Sequence, residues 1–283
     1  MKFAWILAAL LLCPAMAGAA QRSEILKQVE SSMLVTGTIE TRADGTVSST
    51  VIDKPEKLPA GVVDFVQKEV AAWKFEPVII DGKAHPTRSP MSVRLVARRL
   101  DDKNYSIGIR NANFGGTTPK EGETLTRVKL TPPFYPQSVA MHGASGVVYV
   151  VVKVGKDGRV TDAIIEQVNL KTIGQESEMV AWRKSLSNSA LQAARKWTFA
   201  TPIKGKLADD EFWSARVPVA FYMDKRFDTA YGKWEMYIPG VRQTIPWSNE
   251  NRPGFSPDGL ADGGVYTLGN DDGPKLLTPL GGT

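Results

Sequence analysis

Apolar and polar positions alternate in two stretches that share one spacing. Val35, Gly37 and Ile39 lead to a turn at Asp44-Gly45, and the alternation resumes at Val47, Ser49 and Val51. Val148, Val150 and Val152, then Asp157-Gly158, then Val160, Asp162 and Ile164 repeat this at a constant offset of 113. Period-two alternation on either side of Asp-Gly predicts a β-hairpin, because glycine accepts the positive φ that the turn demands.

The pattern then changes period. Val62, Val66, Val70 and Trp73 stand 4, 4 and 3 apart, and Leu186, Ala190, Ala194 and Trp197 repeat that spacing at an offset of 124. Each set reads as one face of a helix. A third alternating run follows, Met91, Val93, Leu95 and Ala97 in the first copy and Val217, Val219, Phe221 and Met223 in the second, offset by 126. The growth from 113 to 124 places about eleven extra residues between Gln167 and Ser185 of the second copy, where a surface loop is expected.

Each unit therefore reads as strand, strand, helix, strand, preceded by a helix-like segment, "QRSEILKQVESSM" or "YPQSVAMHG". The predicted fold class is α+β, with two tandem small units, each a three-stranded antiparallel sheet packed on one or two helices. Trp73-x-Phe75 and Trp197-x-Phe199 mark the return from helix to sheet, and Pro77 and Pro202 end each helical stretch. Burying ~150–250 Å² of aromatic surface at ~25 cal/mol/Å² contributes roughly 4–6 kcal/mol before entropy, which is decisive in a small unit. The Asp-Gly pairs read as turns and nothing else.

The predicted organisation is a leader at 1–20, a first unit at 21–100, a linker at 101–124, a second unit at 125–224 and a tail at 225–283. Within the linker, "YSIGIRNANF" could add a short strand to the first sheet. Gly and Pro supply 14 of the 44 residues from Gly240 onward, so the tail reads as irregular. Its aromatic residues, Tyr231, Trp234, Tyr237 and Trp247, favour local packing on the second unit.

Composition changes the picture at the N-terminus. "MKFAWILAALLLCPAMAGAA" has a Lys, a short apolar run and small residues at its end, the layout of a cleaved secretory signal. The expected location is the periplasm, the alternative being an inner-membrane anchor if the signal stays attached. Cys13 lacks the preceding small residue of a lipoprotein signal and is the chain's one cysteine, so the mature chain has no disulfide and no thiolate site. A net charge of +5, which loses Lys2 with the leader, comes without a basic cluster or nucleic-acid motif.

The second unit, from Tyr135-Pro136 through Gly146-Val147-Val148, Asp157-Gly158 and Trp197–Phe199–Pro202 to "ARVPVAFYM", resembles the C-terminal domain of TonB over about residues 132–223. Residues 33–97 resemble the same domain without a Tyr-Pro element. The resemblance implies a binding module of the TonB system, without catalysis or cofactor, that captures an extended peptide of a TonB-dependent outer-membrane transporter, or of another envelope protein, as an added strand. It also brings peptidoglycan into view as a partner. The long Pro-rich linker and motor-coupling membrane helix of an energy transducer are missing from this sequence, which implies a relative that keeps the binding domain alone. The alternative is a structural envelope protein that binds peptidoglycan or self-associates.

Strand addition needs an edge, and the candidate is Arg216, Val217, Val219, Ala220, Phe221 and Tyr222. Pro218 within it favours an edge position and also blunts pairing. Tyr135, Pro136, Trp73, Phe75, Trp197 and Phe199 are expected to be structural. His85 and His142 each stand alone, without metal-ligand spacing or a nucleophile elbow, and the Asp209-Asp210 and Asp271-Asp272 pairs read as solvated loops, so neither catalysis nor a metal is expected.

Overall fold

The computed structural model describes residues 29–100, 104–115, 121–223, 231–248, 255–260, 262–269 and 274–280. The leader read at 1–20 lies outside them.

In the first unit, β1 (Glu30–Thr41) and β2 (Val47–Ile52) form the predicted hairpin, followed by α1 (Val62–Ala71). A small exposed hairpin, β3 (Val78–Ile80) with β4 (Lys83–His85), then leads into β5 (Thr87–Arg99) and β6 (Tyr105–Phe114). β1 pairs antiparallel with β5, and β5 with β6. Met33, Val35, Ile39, Val66, Val70, Met91, Val93 and Leu95 close the core beneath α1. The second unit holds β7 (Thr126–Lys129), α2 (Gln137–Ala140), β8 (Gly146–Val154), β9 (Val160–Leu170), α3 (Glu176–Ala194), β10 (Thr198–Ala200) and β11 (Trp213–Phe221). β8 lies between β9 and β11, and Leu186, Ala190, Ala194 and Trp197 seal its core.

The duplication extends to irregularities. Each hairpin skips one residue of its second strand beside the Asp-Gly turn, Ser48 against Glu40–Thr41 and Thr161 against Lys153–Val154. Each turn also docks on the aromatic motif. Phe75 N donates to Gly45 O and Phe199 N to Gly158 O, both at 2.8 Å. The turns are thus more than turns. A Cβ on Gly45 would stand 2.0 Å from Phe75 O, and one on Gly158 2.2 Å from Phe199 O.

Several expectations need correction. The sheets have five and four strands rather than three, because β6 and two tail strands, β12 (Glu235–Tyr237) and β13 (Tyr266–Thr267), join them. Much of the linker read at 101–124 is therefore sheet. Glu30–Met33, read as the end of a helix, belongs to β1, where pairing with β5 and β12 overrides the helical spacing. The extra residues of the second unit form no loop. They lengthen the second hairpin strand from 6 residues to 11 and the helix from 10 to 19.

The described residues of the tail pack on both units rather than on the second alone. β12 pairs with β1, and the next residue, Ile238, bridges Leu170 of β9 and enters the second core. Gln243 N donates to Glu166 O of β9, and Ile245 packs with Val151 and Leu268 on the sheet face away from α3. The Arg94 guanidinium of β5 donates to Asp258 O, Ser92 Oγ to Gly259 O and Asn111 Nδ2 to Asp258 Oδ1. Lys275–Thr278 returns to the first unit beside Lys74–Glu76. Among the described residues no helix is long and apolar enough to cross a membrane.

Candidate strand-capture edge

Alternation along β11 divides its side chains between two faces. Trp213, Ala215, Val217, Val219 and Phe221 point into the second core. Ser214, Arg216, Pro218 and Ala220 lie on the face that the tail covers. The candidate side chains Val217, Val219 and Phe221 are thus core, and what the edge offers beyond them is backbone.

Arg216 is also buried, on the tail-covered face. Its Nε donates to Glu166 Oε2 at 2.5 Å, and the two side chains are 3 % and 1 % exposed. Glu166 is the residue that the β8–β9 register skips between Tyr149 and Val150, and a bulge of this kind re-aims a side chain. Arg242 of the tail donates to the other carboxylate oxygen at 2.9 Å, and the Phe255 ring stacks on Arg216. One buried carboxylate thus holds a strand arginine and a tail arginine together.

Tyr222, at the end of the edge, is half-buried. Lys171 Nζ donates to its hydroxyl at 2.7 Å, and the hydroxyl donates to Asp262 Oδ2 at 3.0 Å. Burial, reinforced by the Asp262 and Glu235 carboxylates, pushes the phenol well above its ordinary range, so it stays protonated. Lys171 also pairs with Glu235 beside β12.

The outer edge is partly occupied. β13 pairs Tyr266 with Arg216 and Thr267 with Ala215. Leu268 N donates to Ser214 O and Gly263 N to Pro218 O. In an antiparallel strand a residue's N–H and C=O point the same way, so the donor that Pro218 lacks faces this outer side. Among the described residues, tail pairing on β11 stops there, and Val219 to Phe221 have β8 alone as a strand neighbour.

Trp73, Phe75, Trp197 and Phe199 are buried. Tyr135 OH donates to Ala144 O at 2.5 Å while its ring meets Phe221 edge-on, and Pro136 is the N-cap of α2. Sequence reasoning missed Glu166, Arg242 and Asp262. A polar residue inside a β-branched run, "DAIIEQVNL", was the available signal for Glu166, whereas the tail partners had none.

Comparison with protein families finds no matching family model, and no solved structure matches. A stretch of 72 residues is 35% identical to Ribonuclease Y of Treponema denticola. It covers 23% of this chain and spans 14% of that protein's length.

Proposed function

We propose that the chain is a non-catalytic protein-binding module of the TonB type, located in the periplasm, that captures an extended peptide of an outer-membrane transporter along the outer edge of β11. One observation carries this reading. The corresponding strand of the first unit, β5, has its outer edge filled by the ten-residue β6, whereas among the described residues β11 has there only the two-residue β13. The same repeat thus accepts a full antiparallel strand in one copy and is left largely uncovered in the other. Main-chain pairing supplies affinity in this mode of recognition, so inward-pointing side chains on β11 are no obstacle. The first unit, with its edge filled internally, does not bind.

The backbone groups of Ala220 point outward past the described tail pairing, and a longer peptide takes the place of β13. The test is an NMR titration of the isotope-labelled chain with TonB-box peptides of transporters from the same organism. Saturable amide shifts along Ser214–Tyr222, with none along β5, support the reading. Unchanged spectra at millimolar peptide would refute it.

A further inference from the structure

The two Trp-x-Phe segments each pair with one more piece of chain, and the two pieces come from opposite directions. In the second unit β10, which contains Phe199, pairs with β7, a segment that lies before the unit's first hairpin. In the first unit the matching residues Lys74–Glu76 pair with the C-terminal segment of the chain. Glu76 N donates to Lys275 O and Leu277 N to Lys74 O, both at 2.8 Å, and Lys74 N donates to Thr278 Oγ1 at 2.8 Å. Leu276 and Leu280 pack against the first core, and Lys275 Nζ stands 3.5 Å from Glu76 Oε2.

This is a small, complete recognition site. It has main-chain pairing for register, apolar contacts at Leu276 and Leu280, and a complementary charge at the entrance. We propose that the Lys74–Glu76 edge is a strand-acceptor site whose ligand is the C-terminal segment Lys275–Leu280, and that a second copy of this chain donates it, linking copies by strand exchange. Exchange of an identical element retains every contact of the closed form, so the cost lies only in opening and association. The acceptor and donor surfaces differ, so onward donation from copy to copy is head-to-tail and closes into a ring, whereas mutual donation between two copies closes into a two-fold dimer. The site uses no residue of β11 and stands independently of peptide capture there.

The experiment uses the full chain carrying Leu276→Asp and Leu280→Asp, which evicts its own segment and leaves the acceptor intact. The probe is a fluorescein-labelled peptide of residues 274–283. Saturable binding to this variant is expected, about tenfold or more tighter than to the unaltered chain, whose site is mostly filled in cis. In parallel, unaltered chains labelled with donor and acceptor dyes are mixed at rising concentration. Energy transfer between copies is expected, and its loss when both partners carry the double substitution. Absence of peptide binding to a variant that keeps native near-ultraviolet circular dichroism overturns the acceptor site. Peptide binding without transfer between unaltered copies overturns donation by a second copy. If the variant fails to fold, transfer between unaltered copies decides alone, its absence overturning the proposal.

Discussion

Glycine at the two hairpin turns is fixed by two constraints at once. Gly45 and Gly158 have φ of 82° and 74°, and each faces the carbonyl of a motif phenylalanine closely enough to exclude a Cβ. Gly158→Ala is therefore expected to destabilise by about 1–3 kcal/mol or more, read as a lower urea midpoint with unchanged slope. Glu166 is the second decisive residue. Removing a fully buried carboxylate that holds two arginines takes from the buried Arg216 the charge partner that Glu166 supplies, so Glu166→Ala is expected to cost about 3–5 kcal/mol in chemical denaturation. Asp44 supplies a pH signature. Hydrogen bonds from the Thr46 hydroxyl and backbone, more than the nearby Arg42 and Lys74 charges, hold its carboxyl below the ordinary 3.8. A folded-state value below the unfolded one adds stability above pH ~4 that disappears as pH falls through the folded value. Asp44→Asn should therefore flatten the acid limb of the stability–pH curve below pH ~4 and leave its slope near neutrality unchanged.

Elements show where periodic patterns suffice and where they mislead. Both Asp-Gly hairpins, both helices and the third strands form where alternation and 3.6-residue spacing place them. The patterns failed where a segment's partner is distant. Glu30–Met33 carries helical spacing yet pairs with two strands, and the extra residues of the second unit joined a longer strand and helix because α3 packs along β8 and β9. β6 departs from its reading for another reason, since its partner β5 is the strand just before it. The polar residues around it make it read as part of a linker that could add a short strand, but Ile109 and Ala112 are buried in the first core. Ile109→Ala is expected to cost about 2–5 kcal/mol in thermal or urea unfolding, whereas a true linker residue would cost next to nothing.

At the scale of the whole molecule the tail decides the architecture. It crosses from the first sheet to the second and back, joining β1, β9, β5, β11 and the Lys74–Glu76 edge in turn. The two units should consequently unfold together, with tryptophan fluorescence and far-ultraviolet circular dichroism tracing one coincident transition; two separated transitions would show that the tail does not couple them. What could be read from the amino-acid sequence was the hairpin–helix–strand order of each unit, the α+β class and the burial of the Trp-x-Phe motifs. Those features rest on interactions between residues near in sequence or on a period that a single unit repeats. Tertiary structure alone decided that the tail covers both sheets, that Glu166 holds Arg216 beneath the tail, and that β13 occupies part of the β11 edge. These outcomes depend on pairings between residues about 45 to 200 positions apart, where the cost of closing the intervening chain is offset only by contacts that no local pattern encodes.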